Sequence, residues 1–418
     1  MRIETPHYIE YAIEKLGGRG YEAYIVGGCV RDSLLGLTPK DWDIATSAAP
    51  DEVMSVFCDH KLLTHGSKYG TVAVILDDKS VEITTYRTDG AYSDNRRPDN
   101  VVFTKSLRDD LSRRDFTINA LAYRRDAGLI DYFGGRADLE NGVIRCVGNA
   151  RERFAEDALR ILRALRMASR LSFSIDGDTA FAARDLRKSL ANIARERICA
   201  ELSGILVGSG AGAAEILNDF YDVITVFIPE LETTAACMPR IARSIACSPP
   251  DLTLRLALLL RATGACAAGS ALRRLRFGNV IIENALDLIK HEGAPVNGSA
   301  AIKRLLNKLG EDQINRFFDM RRSIIESGEC GEAEKPRLLR EANDAAERAN
   351  AIIAGGECYS LKDLAVNGDD LLELGFKPGK PLGRAIDSLL EAVIEGRRPN
   401  EKPALLDMAR GLNKPFFC

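Results

Sequence analysis

A change of character near Gly148 constrains this chain more than any other feature of its sequence. Before it, short β-rich runs mix with helical stretches. Ala23-Tyr24-Ile25-Val26, the run from Thr71 to Leu76 and the run from Val81 to Tyr86 all read as strands, and turn signals such as Asp77-Asp78 and Asp89-Gly90 separate them. From about Asn149 onward, Ala-, Leu-, Arg- and Glu-rich patterns with few β-branched runs predict helices. Breaks are expected near Gly208-Ser209-Gly210, Ser248-Pro249-Pro250, Gly293-Ala294-Pro295 and Gly355-Gly356. A small α/β head followed by a long helical remainder satisfies this pattern. At 418 residues the chain exceeds one ordinary core, so two to four domains are expected.

Composition narrows the classes further. Hydrophobic residues make up 46% and charged residues 28%, as in a globular protein. No apolar run approaches the roughly 20 residues needed to cross a bilayer, and Met1-Arg2-Ile3-Glu4 lacks the basic-then-apolar pattern of a signal peptide. The ten cysteines are scattered singly with no C-x-x-C pair, a spacing that suits reduced thiols and a cytoplasmic location. Four isolated histidines cannot supply a histidine-rich metal centre. A formal net charge of −3 argues against a uniformly basic nucleic-acid binder, so any such contact must rest on local basic patches.

Chemistry first shows in Val26-Gly27-Gly28-Cys29-Val30-Arg31, where a strand runs into a double glycine and then a short helix. Glycine permits close approach of the backbone to a ligand, a helix start presents unpaired N–H groups, and Arg31 adds a guanidinium fork for a triphosphate oxygen. Most Gly-Gly turns are structural, and this one gains weight from Asp41-Trp42-Asp43 just downstream. If that tripeptide is extended, both carboxylates project to one face, where they repel unless a proton or cation lies between them. Oxygen ligands with open positions suit Mg²⁺, which also binds substrate phosphates. Glu82, alternating with apolar Val81 and Ile83, is the candidate third carboxylate; a plain outward-facing strand residue fits the same pattern.

The second constellation runs from Glu156 to Arg166. If the stretch is one helix, Asp157 meets Arg160, and Arg160 meets Arg163, as neighbours three apart. At about 100° per residue the stripe drifts, turning Arg166 toward the far side. A carboxylate accepts hydrogen bonds and a guanidinium donates them. Cytosine and adenine each present an amino donor beside a ring-nitrogen acceptor, whereas uracil and guanine present the reverse. An Asp157–Arg160 pair is therefore complementary to C and A. A surface ion-pair helix would show the same spacing.

The string from Gly27 to Thr46, G-G-x-V-R-D-x-L-L-G-x-x-P-K-D-W-D-I-A-T, resembles the signature of the class II nucleotidyltransferases, which include CCA-adding enzymes and bacterial poly(A) polymerases. Arg113-Arg114-Asp115-Phe116-Thr117-Ile118-Asn119-Ala120 resembles that family's next motif, the Glu-Asp-x-x-Arg stretch at 156–160 its nucleotide-selecting motif, and Arg195-Glu196-Arg197-Ile198 the one after. The resemblance implies an α+β protein: a polymerase-beta-like nucleotidyltransferase head over 1–148, then all-helical neck (149–208), body (209–300) and tail (301–418). It implies that Gly28 and Arg31 bind the triphosphate, that Arg114 contacts the nucleotide or its phosphates, and that Asp41 and Asp43 hold Mg²⁺. Asp157 and Arg160 would pair with the base, with Arg163 and Arg166 alongside.

The implied reaction is addition of C, C and A to the 3′ end of a tRNA partner from CTP and ATP. A-adding-only enzymes and poly(A) polymerases share these motifs. The polar stretch from Arg87 to Pro98 resembles the flexible loop of CCA- and A-adding enzymes, and the run from Val366 to Asn400 resembles the tail of bacterial CCA-adding enzymes. The chain ends in Asn413-Lys414-Pro415-Phe416-Phe417-Cys418 without the basic extension more frequent in the polymerases. The body segment Asp251–Arg255 lacks histidine, so an added His-Asp phosphohydrolase activity is not expected. Arg273, Arg274 and Arg276, with Lys303, Arg304 and Lys308, are candidate contacts to tRNA phosphates or ordinary solvated faces. No membrane is expected, nor any protein partner beyond a second copy of the chain.

Overall fold

Alternation along the first strand already requires a sheet covered on both sides. Ala23 and Ile25 belong to one buried cluster, and Tyr24 and Val26 to another. The computed structural model describes residues 2–90 and 101–412 and divides between Pro229 and Glu230 into two compact units.

The strands of the first unit are β1 (Ala23–Val26), β2 (Asp43–Thr46), β3 (Leu62–Leu63), β4 (Thr71–Leu76), β5 (Lys79–Thr85), β6 (Arg87–Asp89), β7 (Val101–Phe103), β8 (Leu121–Arg124), β9 (Gly128–Asp131), β10 (Val143–Ile144) and β11 (Ser174–Ile175). Seven of them form one sheet in the order β3-β4-β5-β2-β1-β8-β9, and β6 pairs with β7 separately. Within the large sheet only β2 and β5 run parallel, in a register that sets Asp43 opposite Glu82. The three strands expected from alternation are present, the third reaching back to Lys79. The remaining strands, of two to four residues, leave too little periodicity in the sequence to be expected.

Helices α1 (His7–Gly17), α2 (Gly28–Leu34), α3 (Pro50–Val56), α4 (Leu107–Ser112) and α5 (Gly135–Glu140) flank the sheet. Ile9, Ala12 and Leu16 bury the inner stripe of α1 at helical spacing. The helical region then opens where the sequence changes character: the Asn149 side chain accepts from the amides of Arg151 and Glu152 and starts α6 (Ala150–Glu156). It continues through α7 (Leu159–Leu171), α8 (Gly177–Asp185), α9 (Arg195–Leu206) and α10 (Gly210–Asp219). One expectation fails here. The segment after 149 is not wholly helical, because β11 pairs in parallel with β10. Two extended residues satisfied by a partner strand leave no periodic trace.

In the second unit, helices run from Met238–Ala246 to Lys402–Leu412, with breaks at the anticipated Pro and Gly positions. Leu371, Leu389 and Leu405 anchor a separate core at its C-terminal end. Arg255 is 1% exposed there and donates to the Ser248 hydroxyl and carbonyl. Among the described residues, nine cysteines are free thiols, and no helix is long and apolar enough to cross a membrane. Residues 91–98 of the expected loop, and the terminal Asn413–Cys418, lie outside the described residues.

Candidate active site

The end of the site expected to take a triphosphate is built from the turn after β1. Gly27 has φ 77° and ψ −128°, a left-handed conformation that L side chains avoid. A Cβ there would stand 2.8 Å from Arg114 Nη1. Helix α2 begins at Gly28 as expected, but it has seven residues, so the positive potential of this end rests chiefly on arginines. Arg31 is buried. Its Nε donates to Asp32 Oδ1 at 2.8 Å and its Nη1 to Asn119 Oδ1 at 2.6 Å. The fork expected to stand free for phosphate is thus already held at its rim. Gly27→Ala should cost about 1–2 kcal/mol of stability through strain alone, displace Arg114 and raise the KM for nucleoside triphosphate. Thermal melts with steady-state kinetics check this; unchanged values for both would show that the contact with Arg114 is not needed.

The carboxylates follow. Strand β2 begins at Asp43, so Asp41 precedes the strand and the two acids are not successive same-face strand residues. They nonetheless line one cavity of about 600 Å³. Burial first, then Glu82 and Asp41, push the Asp43 carboxyl above its ordinary range, against the pull of Arg114. Glu82 stands opposite Asp43 in the parallel register, yet among the described residues no three His, Cys, Asp or Glu side chains are gathered as a metal-binding group.

The stretch expected to select the base departs furthest from expectation. Residues 156–166 are not one helix: α6 stops at Glu156 and Asp157 is extended, at φ −141° and ψ 104°. Its Oδ1 accepts the amide of Leu159 at 3.0 Å, so the carboxylate starts α7 instead of riding on it. Asp157 and Arg160, expected as neighbours on one helix that share a ligand, are each held by other residues. Asp157 Oδ2 accepts from Arg197 Nη2 at 2.9 Å, while Arg160 donates to Glu156 and, at 3.0 Å, to the Arg153 carbonyl. Arg163 turns to Asp115, with Nη2 to Oδ2 at 2.6 Å. Burial opposes the Asp115 charge, but Arg163, then Asn119 and Arg160, hold its carboxyl below the ordinary range.

Arg166 is not lost to the far side. It lines the cavity and donates to Glu201 at 2.5 Å, lying across Gly204, where a Cβ would meet its Cδ at 2.3 Å.

Every proposed nucleotide contact converges on this space: Gly28, Arg31, Arg114, Asp157, Arg160, Arg163 and Arg166 line it with Asp41 and Asp43. Glu82 does not line it. Eight arginines there face four aspartates, which suits a polyanion although the whole chain is net negative. Two guanidinium nitrogens in its walls, Arg114 Nε and Arg197 Nη1, are buried without a hydrogen-bond partner, as expected where a ligand completes the set. Arg197, Asp115 and Asn119 had drawn attention only as motif members, since their partners lie 40, 48 and 88 residues away.

In the second unit, Arg274 pairs with Glu230, Lys303 with Glu357, and Arg304 with Glu391 and Glu395. At least three of the six basic residues suggested as tRNA contacts are therefore balanced.

The chain matches the family model of the poly(A) polymerase head domain over residues 23–145, and that of tRNA nucleotidyltransferase domain 2 over residues 253–409. It is 36% identical over 405 residues to the CCA-adding enzyme of Lactiplantibacillus plantarum, covering 95% of this chain and 94% of that one. With the CCA-adding enzyme of Geobacillus thermodenitrificans it shares 37% identity, covering 93% of each. The crystal structure of the Bacillus stearothermophilus CCA-adding enzyme in complex with CTP superposes with a TM-score of 0.75 at 30% identity, over 98% of both chains. The chain belongs to the CCA-adding enzyme family of tRNA nucleotidyltransferases.

Proposed function

We propose that this protein adds C, C and A to the 3′ end of tRNA from CTP and ATP, with no nucleic-acid template. One observation carries the reading: a single cavity gathers Asp41 and Asp43 with Asp157 and Arg160, so a reaction centre and a base reader share one ligand-sized space. The likeness to a relative solved with CTP supports the choice of triphosphate. In this reading residues 1–148 carry the chemistry and 149–208 the base selection, while 209–300 and 301–418 form the body and tail that receive tRNA.

The donor set fits a hard divalent cation, being carboxylate oxygens crowded enough to raise Asp43. Asp41 and Asp43 would hold Mg²⁺, with Glu82 as a neighbouring charge; when bound, the ion supplies acidity to the attacking hydroxyl and neutralisation to the departing pyrophosphate. The chain's own residues do the positioning. Arg114 and Arg31, with the backbone at Gly28, clamp the triphosphate. The RNA 3′-hydroxyl oxygen then bonds to the α-phosphorus, the bond to the β-bridging oxygen breaks, and pyrophosphate leaves with the electron pair. Asp157 accepts from the amino group of C or A. Arg160 donates to the ring nitrogen, exchanging Glu156 for the base as it does so.

Transcripts lacking CCA, lacking only A, or complete, supplied with Mg²⁺ and CTP, ATP or both, test the assignment. Addition of both C and A to the shortest transcript is expected. A-addition confined to transcripts already ending in CC would reassign the enzyme as A-adding, and long A tracts on unrelated RNA would make it a poly(A) polymerase.

A second expectation concerns pH. Because Asp43 titrates above its unfolded value, the native state binds that proton more tightly than the unfolded chain does. Metal-free stability should therefore fall as pH rises from the ordinary carboxylate range through the raised value. Above that window Mg²⁺ should raise the Tm by mass action. Asp43→Asn should stabilise the metal-free protein and remove the Mg²⁺ increment. An increment that survives the substitution would place the ion elsewhere.

A further inference from the structure

We infer that a second cavity, adjoining the nucleotide pocket at Asp41, seats the single-stranded 3′ end of the RNA that receives the nucleotide; this rests on the nucleotidyltransferase reading above. The cavity, of about 980 Å³, lies among the N-terminal segment, the loop ending at Trp42 and the β4–β5 turn. Among the described residues, Asp41 alone lines both spaces. The D-W-D tripeptide divides between them: Asp41 and Asp43 line the nucleotide pocket, and Trp42 between them lines the second cavity instead.

The walls carry what a single strand requires. Trp42 and Tyr8 are half-buried against the core of the sheet, with part of each ring left open. Arg2, Lys40 and Lys79 are exposed and make no ion pair among the described residues. Lys79 Nζ lies 5.2 Å from the Tyr8 ring centroid. Apart from Asp41, Glu4 is the acidic side chain in the lining, so cations outnumber carboxylates. In the nucleotide pocket most arginines are already tied to carboxylates; here the three cations make no ion pair among the described residues. Aromatic side chains for stacking, beside cations for phosphates, are the requirements for binding single-stranded nucleic acid. Transfer also needs the attacking hydroxyl to approach the α-phosphate opposite its leaving group. A strand seated on Trp42 reaches the catalytic carboxylates across Asp41, not through the space the triphosphate fills.

Trp42 is the only tryptophan in the chain, so the unmodified protein carries its own probe. A minihelix RNA ending in single-stranded CC should reduce Trp42 emission. A blunt minihelix of the same stem, or CTP with Mg²⁺ alone, should leave it unchanged. Lys79→Glu, an exposed change, and Trp42→Ala should each raise the KM for the RNA by about ten-fold with the KM for CTP unaltered, and Trp42→Phe should restore most of the RNA affinity. Emission lost equally to the blunt RNA, or to CTP alone, would overturn the inference. So would RNA that is extended normally while emission stays constant, and that outcome leaves the proposed function intact. No extension of any RNA, with emission constant, would overturn both.

Discussion

Asp41→Ala should lower CTP transfer to a tRNA lacking its CCA end by at least about a thousand-fold, equivalent to about 4 kcal/mol of transition-state stabilisation. The size follows from the chemistry: without its carboxylate ligand the site can no longer hold a cation against the triphosphate. Asp41 is exposed and precedes β2, so the melting temperature should barely move and tRNA should still bind in a filter assay. Asp43→Ala should be as severe for transfer, yet should slightly stabilise the metal-free fold by removing a charge that partial desolvation at the cavity wall and Glu82 disfavour, although the residue is exposed at the strand start. That opposition between activity and stability separates a catalytic carboxylate from a structural one. Transfer by Asp41→Ala within about ten-fold of wild type would remove it from the chemistry.

Asp157 should decide which base is accepted. Charged hydrogen bonds contribute about 1.5–3 kcal/mol each, so Asp157→Ala should reduce the preference for CTP and ATP over UTP and GTP by roughly ten- to a hundred-fold. It should also cost about 1 kcal/mol of stability, because Oδ1 starts α7 through the Leu159 amide. Asp157→Asn discriminates further. If its carbonyl oxygen keeps that amide, the NH₂ faces the base and offers a donor where C and A also present a donor. The asparagine variant should then accept UTP and GTP better than the alanine variant does. Competition among the four triphosphates on one transcript measures this; equal preference in the two variants would show that Asp157 does not face the base.

Local signals revealed much of this molecule. Strands β1, β4 and β5 and the helical onset near Asn149 were legible because alternation of apolar residues and helix-forming composition are local signals. Gly27, Gly28, Asp41 and Asp43 were legible because their residue types are rare in combination. The internal wiring was not. Spacing made Asp157 and Arg160 partners on a helix that in fact breaks between them, and it turned Arg166 away from a cavity that it lines.

Residue patterns prescribe a β-rich head, a helical remainder and the acids and arginines that meet in one cavity. Long-range packing sets Arg197 against Asp157, Asp115 against Arg163 and Asn119 against Arg31. The reason is physical. Periodicity records which face of an element is apolar, whereas a guanidinium bonds whichever carboxylate or carbonyl oxygen the packing of distant elements brings within about 3 Å.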